Sequence, residues 1–131
     1  RQISQTELTS LIQQRFNLML AHGTTTVECK SGYGLSTEAE LKSLRAIRSA
    51  ADHSSLQTLA TFLGAHEIPD EYQTNRAGYI DLLTHEMIPV IAAEQLADFC
   101  DVFCEEGVYT IPETRRILSA ASEHGFGLRC H

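Results

Sequence analysis

The 131-residue chain has no apolar run of membrane-spanning length, and its polar opening, Arg1-Gln2-Ile3-Ser4-Gln5, lacks the apolar centre of a secretory signal. It is also short of positive charge. Ten Lys and Arg stand against seventeen Asp and Glu, a formal net charge of −7, and no basic patch offsets that balance. Nucleic acid and an anionic membrane are therefore not expected as partners, since both are held first by positive charge. The four cysteines, Cys29, Cys100, Cys104 and Cys130, contain no Cys-x-x-Cys and no even framework of spacings. Cys100 and Cys104 lie four apart in an extended run, roughly 13 Å, too far to bridge or share a metal. All four are read as buried, reduced thiols acting as small hydrophobes, which fits a cytoplasmic setting. Phosphate loops are missing as well: there is no Gly-x-x-x-x-Gly-Lys and no complete Gly-x-Gly-x-x-Gly.

What is present is a regular alternation of helix and strand signals. The first helix opens on a capping box, Ser4-x-x-Glu7, with Leu8, Leu11, Ile12 and Met19 on one side, and stops near Gly23. A β-branched run, Thr24 to Lys30, leads into the loop Ser31-Gly32-Tyr33-Gly34-Leu35. A second box, Thr37-x-x-Glu40, is expected to start a helix with Leu41, Leu44, Ile47 and Ala51 inside. The next strand runs from Thr58 to His66, followed by an irregular stretch from Glu67 to Thr74. Helical signal returns at Tyr79, Leu82, Leu83 and Met87, is expected to break at Pro89, and resumes over Ala92 to Leu96. The third strand is expected over Asp98 to Cys104. A last helix starts at Thr110-Ile111-Pro112-Glu113 and ends at His124-Gly125, before the run Gly127 to His131.

Strands separated by helices pair in parallel through right-handed crossovers. Four such units can form a small doubly wound sheet or half of a (β/α)8 barrel. The chain starts on a helix and ends on a strand, whereas a doubly wound domain usually starts with its central strand, so half a barrel is the expectation. In either fold, functional groups gather beyond the carboxyl ends of the strands.

Two runs finish there on histidine, at His66 and His131. Imidazole is the commonest neutral metal ligand, although a hydrogen-bonded polar residue would look the same at either place. Gly32 and Gly34 flank Tyr33 and free the backbone to carry an aromatic hydroxyl over the rim, or simply to turn. Glu105 and Glu106 follow the third strand and are read as a solvated turn. Asp98 is read as a helix-exit acid and Asp101 as a rim hydrogen-bonding group. His22, His53 and His124 sit at helix ends, where a partly cationic ring favours the helix dipole. His85 is read as a solvated helix residue.

Taken in order, Val27-Glu28-Cys29-Lys30-Ser31-Gly32-Tyr33-Gly34-Leu35, Thr61-Phe62-Leu63-Gly64-Ala65-His66, Asp101-Val102-Phe103-Cys104-Glu105 and Leu128-Arg129-Cys130-His131 resemble the imidazolonepropionase family of metal-dependent amidohydrolases. The likeness covers essentially the whole chain with matching spacing. It implies an α/β fold forming the central portion, about half, of a TIM-type (β/α)8 barrel. Residues 1–131 would be a single segment of that catalytic barrel, truncated at both ends and inert alone. It implies one Zn or Fe ion, and hydrolysis of 4-imidazolone-5-propanoate to N-formimidoyl-L-glutamate in histidine degradation. His131 would be a metal ligand on the fifth barrel strand, and Tyr33 and His66 would contact the small-molecule substrate. The catalytic base and the remaining ligands would lie outside the segment, and the full-length enzyme is expected to be a homodimer. The competing expectations are another cyclic-amide or amidine amidohydrolase, or a doubly wound, non-catalytic binding module.

Overall fold

A chain whose apolar residues alternate with polar ones along its strands can bury only one sheet face under helices. The computed structural model, which describes residues 2–131, shows which face that is. In chain order the elements are α1 (Gln5–Ala21), β1 (Thr26–Lys30), α2 (Thr37–Ala51), β2 (Gln57–Ala65), a 3₁₀ turn (Asp70–Tyr72), α3 (Arg76–Leu82), a π-helical turn (Leu83–Met87), α4 (Ile88–Ala93), β3 (Phe99–Val102), α5 (Ile111–Glu123) and β4 (Gly127–Cys130). The four strands form one sheet in the order β1-β2-β3-β4, and every pairing is parallel. A doubly wound sheet reverses its strand order and carries helices on both faces. Here the order never reverses, which is the winding of a barrel segment.

The core confirms the sidedness. Strand residues packed against the helices are Val27 and Cys29, Ala60, Phe62 and Ala65, and Cys100 and Val102. They meet Phe16 of α1, Leu44 and Ile47 of α2, Tyr79, Leu83, Met87, Ile88 and Ile91 of the π-interrupted helix, and Ile117 and Ala121 of α5. Strand residues of the opposite parity, Glu28, Lys30, Thr61, Asp101 and Arg129, make an unusually polar second face. That face corresponds to the interior of a barrel, which is filled by layers of side chains rather than by helices.

Local signals account for most helix ends. Ser4 and Thr110 each form a reciprocal capping box with the Glu three residues on, and α5 carries Pro112 in its first turn. Several expectations are corrected. Ser36, not Thr37, caps α2, and its hydroxyl accepts from the Ala39 N–H. Glu40 takes no part in that cap because its carboxylate is drawn into the loop before the helix. The inner stripe of α1 is Leu8, Ile12, Phe16 and Leu20, while Leu11 and Met19 are exposed. Residues 8, 12, 16 and 20 repeat every fourth position, so Leu11 and Met19 fall on the flank of the stripe. On α2, Ala50 is buried in place of Ala51. Pro89 does not break its helix. The preceding π-helical turn widens the spiral and accommodates the missing N–H, so helix continues from Arg76 to Ala93.

The ordered ladder of β3 ends at Val102, short of the expected Cys104, although the Phe103 and Cys104 N–H groups still donate to the Ala65 and His131 carbonyls. Asp98 precedes the strand because its carboxylate accepts from the Ala60 N–H and from Arg48. The thiols are not uniformly buried: Cys100 is buried, Cys29 and Cys104 are half-buried, and Cys130 is exposed. Among the described residues, no helix is long and apolar enough to cross a membrane.

Burial, and secondarily the neighbouring Asp101 charge, push the Cys100 thiol up to about 12. The folded pKa exceeds that of an ordinary thiol, about 8.5. The stability this thiol contributes is therefore intact below that pH and is lost as pH rises toward about 12. Iodoacetamide at pH 8 should leave Cys100 of the folded protein unmodified and alkylate it once urea unfolds the chain, as read by peptide mass spectrometry. Rapid native-state labelling would contradict the buried position of β3.

Candidate functional site

The strands deliver four rings to one rim. Tyr33 follows β1, His66 follows β2, Phe103 follows β3 and His131 follows β4. The Tyr33 and His66 rings meet edge to face with centroids 4.8 Å apart. His66 stacks on Phe103 at 6.0 Å, and Phe103 stacks nearly parallel on His131 at 5.1 Å. The three residues singled out from sequence thus stand in one continuous aromatic row. Phe103 is the link that sequence reasoning missed, although its place one residue beyond β3 matches that of His66 beyond β2 and His131 beyond β4.

The aim of His66 depends on an irregularity in β2. Phe62 pairs with Cys100, but Ala65 pairs with Val102, so three steps on β2 oppose two on β3. This extra residue is a β-bulge, and it reverses the alternation of side chains beyond it. In regular alternation from Phe62, residue 66 would point toward the helices. With the bulge, Ala65 joins the helix-facing core beside Val102 and His66 joins Phe103 on the other face. Gly64 permits this close packing: a Cβ there would lie 2.5 Å from the Phe62 ring and 2.8 Å from Leu83 Cδ2. Its carbonyl accepts from the buried Tyr79 hydroxyl at 2.9 Å. The His66 Nδ1 is buried and, among the described residues, has no hydrogen-bond partner.

His131 is held differently. Its Nδ1 lies 3.1 and 3.0 Å from the two Asp101 carboxylate oxygens. Lys30 Nζ donates to Asp101 Oδ2 at 2.6 Å. Asp101 is only 1% exposed, and burial works against its charge. The Lys30 ammonium and the His131 ring outweigh that penalty, leaving the carboxyl below its ordinary pKa. With Nδ1–H donated to Asp101, the His131 Nε2 remains free to bind something else, and the side chain is about half exposed. A second charged group lies beside it on the same face: Glu28 accepts from the Thr61 hydroxyl at 2.5 Å and lies 3.2 Å from Arg129 Nε.

Along its whole length the sequence matches proteins of one kind. It is 52% identical over 132 residues to the imidazolonepropionase of Symbiobacterium thermophilum, covering 100% of this chain and 31% of that protein. It is 49% identical over 125 residues to that of Alkaliphilus oremlandii, with 95% and 30% covered. For that of Shewanella baltica the identity is 47% over 131 residues, with 100% and 32% covered. The chain belongs to the imidazolonepropionase family. It spans just under a third of the length of the imidazolonepropionases it matches. No family model matches it.

The remaining sequence expectations can be placed residue by residue. Asp101 is a rim hydrogen-bonding group, as expected, but with a half-buried Lys30 contact that spacing could not reveal. Glu105 and Glu106 form an exposed turn in which Glu105 accepts from the Glu106 N–H. His22 and His124 occupy helix C-caps, and His53 Nδ1 contacts the Ser49 carbonyl at the end of α2. His85 is exposed on the helix surface beside Asp81. Among the described residues no three His, Cys, Asp or Glu side chains stand together as a metal-ligand group.

Gly64→Ala tests the bulge. The added methyl must displace the Phe62 ring or Leu83, and overpacking of this kind costs about 1–3 kcal/mol. Urea denaturation of the full-length protein should show that loss. Stability equal to the parent's would mean that the packing around the bulge is looser than described.

Proposed function

We propose that the protein containing this segment hydrolyses 4-imidazolone-5-propanoate to N-formimidoyl-L-glutamate in histidine degradation, and that residues 1–131 are one segment of its catalytic barrel, truncated at both ends. The observation that carries this reading is the convergence of Tyr33, His66 and His131 on one strand-end rim in a chain about half identical to imidazolonepropionases. The reaction adds water across the ring amide. The carbonyl carbon gains the hydroxyl, the C–N bond breaks and the departing nitrogen takes the proton.

In this reading His131 is the segment's metal ligand. The donor set fits: a carboxylate on Nδ1 fixes the ring and its tautomer while the other nitrogen faces outward, the usual outer support of a ligating histidine. When bound, a Zn or Fe ion would supply Lewis acidity that polarises a carbonyl and acidifies water. The segment's own residues then bind and orient. Tyr33 offers a hydroxyl from an 80% exposed side chain. His66 supplies an imidazole ring edge-on to Tyr33, with its buried Nδ1 unpartnered among the described residues. Together they align a small anionic substrate against the reacting water, and such positioning can supply several kcal/mol of barrier reduction. Phe103, stacked between the imidazoles, holds them apart. The base that moves the protons lies outside residues 1–131. We place the working enzyme in the cytoplasm, as a homodimer acting on a small molecule, with no nucleic-acid or membrane partner.

In the full-length protein, His131→Ala should abolish both bound metal and hydrolysis, while His124→Ala, at an exposed helix end, should retain both. Full metal occupancy and turnover in His131→Ala would remove this residue from the site. Tyr33→Phe and, more strongly, His66→Ala should impair hydrolysis of imidazolone-propanoate with metal content unchanged. Parental steady-state kinetics in both would contradict their assignment to the substrate, and preferential turnover of hydantoins or guanidines would contradict the assigned reaction.

A further inference from the structure

A tyrosine that orients a substrate must itself be held, yet Tyr33 projects from the sheet on a loop with a glycine at each side. Its ring touches His66, but the backbone beneath it is fixed by another residue. Glu40, in the first turns of α2, is 0% exposed. Its carboxylate accepts three backbone N–H groups of the loop: Gly32 on Oε2 at 2.9 Å, and Gly34 and Leu35 on Oε1 at 2.7 and 3.1 Å. These amides bracket Tyr33 on both sides.

The loop conformation is one that an unsupported chain would leave. Gly32 has φ +120° and Leu35 has φ +56°, the latter a left-handed conformation disfavoured for a branched side chain. A Cβ on Gly34 would lie 2.7 Å from the Ala39 carbonyl carbon, the Glu40 N and Glu40 Oε1 alike, so the loop presses directly on its anchor. Ser31 ties the other end down: its N–H donates to the Thr61 carbonyl at 3.0 Å, and its hydroxyl accepts from the Leu63 N–H at 3.2 Å. The backbone between β1 and α2 is thus fastened at the sheet and at Glu40.

We infer that Glu40 is a positioning residue that sets the place of Tyr33 at the rim, acting on substrate only through that loop. A buried carboxylate satisfied wholly by loop amides has no other visible task, and no contact joins it to the rim rings. This inference rests on the reading of Tyr33 as a substrate contact.

The test uses the full-length, metal-loaded protein. Glu40→Gln replaces one acceptor oxygen with a donor that faces an N–H. Amide hydrogen exchange at Gly32, Gly34 and Leu35 should accelerate, while β3 keeps its parental protection and metal content is unchanged. Hydrolysis should weaken mainly through KM, with a loss in kcat/KM of up to roughly 100-fold for a misplaced orienting group. In a Tyr33→Ala background the same substitution should add little, because coupled residues are not additive. Parental exchange in the loop, or fully additive kinetic losses, would overturn the proposal. If Tyr33→Ala alone leaves kinetics at the parental level, the substrate role of Tyr33 fails, and the exchange data then decide the anchor by themselves. Should Glu40→Gln not fold, Glu40→Asp keeps the charge but shortens its reach to the same three amides and should give the same exchange and KM changes; parental values there would overturn the proposal equally.

Discussion

A single buried carboxylate organises this rim. Asp101 sits on β3 almost without solvent, and an unpaired charge in that position would cost several kcal/mol. It is tolerated because Lys30, from β1, and His131, from the end of β4, both reach it. The pair of contacts spans the sheet from one described edge to the other. It defines which face is polar, fixes the orientation of the His131 ring and leaves one imidazole nitrogen pointing away from protein. Glu28, Thr61 and Arg129 add a second polar group on the same face. A sheet face built from such groups cannot be covered by apolar helices, which is why every helix packs on the opposite side.

The rim above this layer is assembled by local devices, each of which redirects one strand end. A β-bulge turns His66 away from the helices. The carbonyl of His131 receives the Cys104 N–H, joining the ends of β3 and β4 beyond their ladder. The loop after β1 is wrapped on Glu40. Strand ends in a barrel diverge, and these contacts bring their side chains back into one row. The row of rings is thus aligned by residues outside it, Gly64, Cys104 and Glu40 among them.

How much of this was legible in the sequence follows from the range of each interaction. The Ser4/Glu7 box and the helix start at Thr110 with Pro112 just inside it are local devices and were read correctly, although the reciprocal contact of Thr110 with Glu113 emerged only in the structure. Helix–strand alternation and the parallel strand order followed from spacing alone. The same box rule failed at Thr37/Glu40, because a loop with three unsatisfied amides competed for the carboxylate and won. Pro89 misled for a related reason: a π-helical turn, set by tertiary packing of Leu83 and Met87, absorbed it. Tyr33, His66 and His131 were visible as residue types at strand ends. Phe103 was not, since a phenylalanine beside a strand reads as core. The partnership of Lys30 and Asp101 joins positions 71 residues apart, and no local pattern encodes it.

The outer support that Asp101 gives His131 is the contact on which a metal at this rim would depend. The decisive measurement is the metal affinity of full-length Asp101→Asn, titrated against a chelator. Loss of a carboxylate behind a ligating histidine typically weakens binding by about 10–100-fold, and that loss is the expected result, with secondary structure retained. Parental affinity in the folded variant would contradict it, and would mean that the buried Asp101–His131 contact is part of the scaffold and not of a metal site.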